Sequence, residues 1–155
     1  MKTRPATHES ILSLAAILLT VAFAVIVHFA ESGTSVIFVG IAMMVFFSVL
    51  WSVIRKTESG IAVAVYGVLS LIPVLGFGIV NGFWNHVVKL LLFSLHGAQL
   101  PAPMAGVFFA PNFGSPLVET VGILMFLSAM VAAIATARFV RRESAELKAA
   151  RANRL

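Results

Sequence analysis

Three histidines, His28, His86 and His96, and two glutamates, Glu31 and Glu119, are the residues of this chain best suited to chemistry. Imidazole titrates near neutral pH and is a common ligand of zinc, copper and haem iron. A carboxylate completes such a ligand set or orients the imidazole. The sequence contains no HxxxH, HxH or HExxH pair, so ligands must converge from separate segments. Read as a centre for copper or zinc, the set is His28, His86, His96, Glu31 and Glu119. Read as a bis-histidine haem site, it is His28 with His86. Asn81, Asn85 and Lys89 surround His86 in the segment Asn81-Gly-Phe-Trp-Asn-His-Val-Val-Lys89 and support either arrangement. On a helix, His28 and Glu31 share one face at i,i+3.

Plainer chemistry accounts for the same residues. Glu119 follows Ser115 and Pro116, a good N-cap and a good first helical residue. An acid in a first turn is stabilised by the helix dipole by about 0.3–1 kcal/mol. Lys89 neutralises Glu119 or Glu31, because an unpaired charge away from water is costly. His86 oriented by Glu119 can also act as a general base on an apolar ligand such as a quinone or lipid. Ser94 and Ser115 stand in no telling spacing to a base, so no catalytic residue is assigned.

The elements that carry these residues are apolar. Of the 155 residues, 60% are apolar and 11% charged, and the mean hydropathy is +1.03. Soluble domains are roughly 45–50% apolar and about 25% charged, so a water-soluble or disordered chain is excluded. The absence of cysteine excludes disulfides, thiol redox chemistry and thiolate metal sites. A bilayer core of about 30 Å takes about 20 apolar residues as helix. Four segments qualify, at about 11–30, 36–54, 61–80 and 117–140. The first runs 20 residues, longer than the usual signal-peptide core of about 7–15, and reads as a retained helix. The fold class is an all-α integral membrane bundle of four transmembrane helices. One transmembrane domain, 1–140, precedes a basic tail, 141–155.

Charge sets the orientation. Ten of the eleven Lys and Arg lie before the first span, between the second and third, or at the end of the fourth and beyond. An even number of crossings separates these groups, so the positive-inside rule places both termini in the cytoplasm, across a plasma membrane. The net charge of +5 then reflects topology and anionic lipid headgroups, and nucleic acid is not an expected partner. Trp51, Tyr66 and Trp84 fall at depths that suit interfacial aromatic rings. Small residues mark contact faces: Gly78 and Gly82 in the third span, and Gly122, Ala129, Ala132 and Ala133 in the fourth. Pro73 kinks the third span.

Phe83 to Leu95 is apolar but only 13 residues long, and it is interrupted by Asn85, His86 and Lys89. It reads as a separate interfacial or re-entrant helix over about 83–96, on the extracytoplasmic side. Advancing 100° per residue puts His96, Lys89 and His86 at about 20°, 40° and 100° from Asn85, on one polar stripe. That stripe either faces the headgroups or turns inward over the mouth of the bundle. The apolar, Pro- and Gly-bearing connection that follows, with Val107-Phe108-Phe109, is expected to fold back as a lid. Three functions are compatible: an accessory or structural subunit of a larger membrane complex or a homo-oligomer, a metal- or haem-binding membrane protein, and a binder or enzyme for an apolar ligand.

Overall fold

The computed structural model describes residues 6–32, 34–57, 59–97, 107–108 and 115–153, and for residues 30–32 and 151 the backbone alone. The regular elements among them are all helical: α1 (His8–Ser32), α2 (Ser35–Lys56), α3 (Gly60–Leu71), a π-helical segment (Ile72–Val88), α4 (Lys89–His96) and α5 (Pro116–Ala152). Four continuous helices are long and apolar enough to cross a membrane: His8–Phe29, Ser35–Lys56, Gly60–His96 and Pro116–Ala150.

Local signals set the starts. The Thr7 hydroxyl accepts from the Ser10 amide at 3.2 Å, so α1 begins three residues before its apolar run. Ser59 accepts from the Ala62 amide at 3.3 Å and opens α3. Ser115 accepts from the Val118 amide at 3.4 Å, with Pro116 as the first residue of α5. α4 stops at Gly97, whose φ of 80° and ψ of −158° lie where essentially only glycine goes. α5 runs through the expected boundary near residue 140 without a break.

α1 packs along α5 and against α2 and the π segment, while α5 also covers α3 and the π segment. Only 17% of the apolar window of α2 is buried, against 44% for α1. α2 is therefore a flank, and Phe38, Ile41, Val45, Phe46 and Val49 point outward from it. The core of the end that carries the chain termini is aromatic. Phe47 and Phe139 meet Tyr66 edge-on at 6.5 and 5.7 Å. Tyr66 is 0% exposed, so it is a core residue and not the interfacial ring its position suggested. Its hydroxyl finds a partner on α1, and that favours the interior.

The third long helix departs most from expectation. Residues 83–96 do not form a separate helix; α3, the π segment and α4 run on as one helix of 37 residues. The departure begins at Pro73, which has no amide hydrogen to give to the preceding turn. Where a kink was expected, the helix widens into i→i+5 turns over Ile72–Val88. The buried residues there repeat every four positions: Val74, Gly78, Gly82 and His86 in one row, Asn81, Asn85 and Lys89 in the next. In an α-helix a four-residue repeat drifts about 40° per step. Wider turns reduce that drift and keep both rows on α1 and α5.

Candidate functional site

The end of the bundle away from the termini holds a buried polar cluster. Lys89 Nζ lies 2.8 Å from Glu119 Oε1, and His86 Nδ1 lies 2.8 Å from Glu119 Oε2. The three side chains are 1%, 6% and 5% exposed, in the order Lys89, Glu119, His86. Both carboxylate oxygens are thus engaged, one by a cation and one by an imidazole. An ionised carboxylate can only accept, so Nδ1 of His86 carries the hydrogen and donates it. In a neutral ring, Nε2 is then left with the lone pair. The first turn of α5 supplies Glu119, and the four-residue rows of the third helix supply the other two.

Glycine makes room for the imidazole. A Cβ on Gly122, one turn after Glu119, would overlap the His86 ring. Gly82 is also tight, because its Cβ would lie 2.8 Å from the Phe126 amide nitrogen. The small residues of both helices therefore bring backbone to backbone at the level of the cluster.

A second polar group lies beside it. Asn85 Nδ2 donates to Asn81 Oδ1 at 3.4 Å, and Asn81 Nδ2 is bonded to His28 Nε2. An amide nitrogen only donates, so Nε2 of His28 accepts and its hydrogen sits on Nδ1. Nε2 is thereby spent within the bundle, and ligation of a metal or haem through it requires Asn81 to leave. His96 is exposed at the end of α4, whereas Lys89 at its start is buried. The Glu31 side chain lies outside the described residues. Among the described residues, no group of three His, Asp or Glu is placed to hold a metal ion. The structure thus joins His86, Glu119 and Lys89, joins His28 to Asn81 and Asn85, and leaves His96 apart.

Most of the expected lid also lies outside the described residues. Val107 and Phe108 are described, and they fold back on the third helix. Trp84 Nε1 donates to the Val107 carbonyl at 3.2 Å, and its ring stacks on buried Phe108 at 5.6 Å.

Hydroxyl bonds between the helices were not foreseen. Ser13 Oγ lies 2.9 Å from the Tyr66 hydroxyl and 2.6 Å from Thr136 Oγ1, which joins α1, α3 and α5. Thr20 Oγ1 lies 2.9 Å from Ser128 Oγ. At the terminal end, Arg142 donates to Glu9 at 3.2 Å and to Glu146 at 3.0 Å. A Ser or Thr in an apolar helix more simply bonds its own preceding carbonyl, as Ser48 does to Met44 at 2.8 Å. Sequence does not separate the two cases. The signal available was the coincidence of Ser13 and Thr20 on one face of the first span, seven residues apart. Compared with protein-family models, with curated proteins and with solved structures, the chain matches none of them.

Proposed function

We propose that this chain is a multi-pass protein of the cytoplasmic membrane, with both termini inside, that works as an accessory or structural subunit of a larger membrane complex. The orientation rests on the basic residues that collect at the terminal end and in the loop between the second and third spans. One observation carries the functional reading: the buried charges are turned on one another. Glu119 spends both oxygens on Lys89 and His86, so the cluster fastens the third helix to α5. Its chemistry is consumed in holding the bundle, while α2 leaves a long apolar flank for neighbours. Solubilisation from the native membrane in mild detergent, followed by size determination and photo-crosslinking from Phe38 and Val45, tests this. A stoichiometric partner attached through α2 is the expected result. A lone monomer in several detergents, with lipid as the sole adduct, removes the reading.

The Glu119–His86 pair favours a second function. A carboxylate that fixes Nδ1–H and leaves Nε2 basic is how proteins prepare an imidazole for a metal, a haem or the polar head of an apolar ligand such as a quinone. An absorption spectrum and metal analysis of the protein from its own membrane test it. The absence of both a Soret band and stoichiometric zinc or copper would remove the metal and haem form.

A further inference from the structure

The seam between α3 and α5 opens toward the terminal end. A cavity of about 320 Å³ lies there, lined from α3 by Gly67 and Ser70, from the π segment by Val74 and from α5 by Ala133, Ala137 and Arg141. A second, of about 170 Å³, continues the seam past Gly60, Ser144, Leu147 and Lys148. The hydroxyls beside the larger cavity are turned away from it: Ser70 Oγ donates to the Tyr66 carbonyl at 2.7 Å, and Thr136 bonds Ser13. The wall that remains is aliphatic. At the mouth, Arg141, Ser144 and Lys148 follow one another at i, i+3 and i+7, so they form one stripe of α5. Arg142 is taken by Glu9 and Glu146. Among the described residues, no carboxylate lies within ion-pair distance of Arg141 or Lys148, and both are exposed.

From these features we infer that the α3–α5 seam is a binding site for one anionic phospholipid of the leaflet at the terminal end. An acyl chain lies along Gly67, Val74, Ala133 and Ala137, and the phosphate is held by Arg141, Ser144 and Lys148. Depth fits. Ala133 to Arg141 is eight residues, about 12 Å of α-helix, against about 15 Å for the hydrocarbon of one leaflet. Charge fits as well. A guanidinium engages phosphate oxygens in pairs, and an ammonium one turn beyond the serine adds a second charge. Cations at this depth face the headgroups, and the cytoplasmic leaflet is the one rich in anionic lipid. The inference requires insertion in a membrane and is independent of whether the chain belongs to a complex.

Native mass spectrometry of the purified full chain, doped with phosphatidylglycerol or phosphatidylcholine, tests it. One phosphatidylglycerol should stay bound per chain, in preference to phosphatidylcholine. Arg141→Gln with Lys148→Gln should weaken that retention about thirty-fold, near five-fold for each cation. Arg141→Lys with Lys148→Arg should restore it. Ala137→Leu, which fills the cavity from an exposed position, should displace the lipid whatever its headgroup. Arg138→Gln, on the side of α5 that faces α1, should change nothing. Equal retention of the two lipids overturns the inference. So does an unchanged affinity in the double glutamine variant, or an equal loss with Arg138→Gln. Unaltered melting temperatures keep a loss of binding distinct from a loss of fold. Photo-crosslinking from Ala137 to a protein instead of a lipid also overturns it.

Discussion

Lys89 and Glu119 meet at 2.8 Å with almost no water in reach, one from the first residue of α4 and the other from the first turn of α5. Such a pair is asymmetric in its consequences. Together the two charges compensate each other; alone, either is a buried ion. Removing one partner of a buried pair costs about 3–5 kcal/mol, whereas replacing both by apolar groups is often neutral. Lys89→Met and Glu119→Leu should each lower the unfolding midpoint in detergent sharply, and the double variant should recover most of the loss. Additive losses in the double-mutant cycle would show that the pair is not coupled.

His86 completes the second oxygen of Glu119, so His86→Ala leaves an acceptor short of a donor, at a cost of about 1–3 kcal/mol. Lys89→Ala should be at least as harmful. His8 is exposed at the start of α1, and His8→Ala should leave stability and complex recovery unchanged. Thermal melts of the three variants, with yields of any co-purifying partner, decide it. Equal and negligible effects would reduce the cluster to an ornament of the helix surface.

Gly122 and Gly76 make a matched test of packing. A methyl group on Gly122 runs into the His86 ring, while one on Gly76 meets nothing within 4 Å. Overpacking typically costs about 1–3 kcal/mol, and alanine is favoured over glycine in a helix by roughly 0.5–1 kcal/mol. Gly122→Ala should therefore melt lower than the parent chain and Gly76→Ala at or above it. The reverse order would mean that the imidazole does not rest on Gly122.

Ser13 and Thr136 lie 2.6 Å apart in the interior. Hydrogen bonds between apolar helices average about 0.6 kcal/mol in double-mutant cycles and reach about 1.7. A cycle built from Ser13→Ala and Thr136→Val should return a coupling in that range. A value of zero would mean that each hydroxyl is content with its own helix.

Much of this was visible in the residues themselves. The apolar runs found the four long helices, and Ser115-Pro116 announced the start of α5. Gly78 and Gly82 marked a contact face, and Gly78 does meet Ala129. The continuity of residues 60–96 was hidden, because Asn85, His86 and Lys89 make the run too polar to resemble a span. Glu119, the partner of His86 and Lys89, lies 33 residues beyond His86, outside any local window. A wheel drawn at 100° per residue also gives no depth, so it grouped His96, exposed at the end of α4, with Lys89, buried at its start. Tyr66 was misplaced for a related reason: depth along a helix says nothing of which way the ring faces.

The hydroxyl bonds between α1 and α5 come in separate rungs. Ser13 and Thr20 are seven residues apart, about 10 Å along α1, several times the reach of one hydrogen bond. Among the described residues, no hydroxyl joins one rung to the other. The two rungs therefore tie α1 to α5 at separate depths, and losing either leaves the other in place.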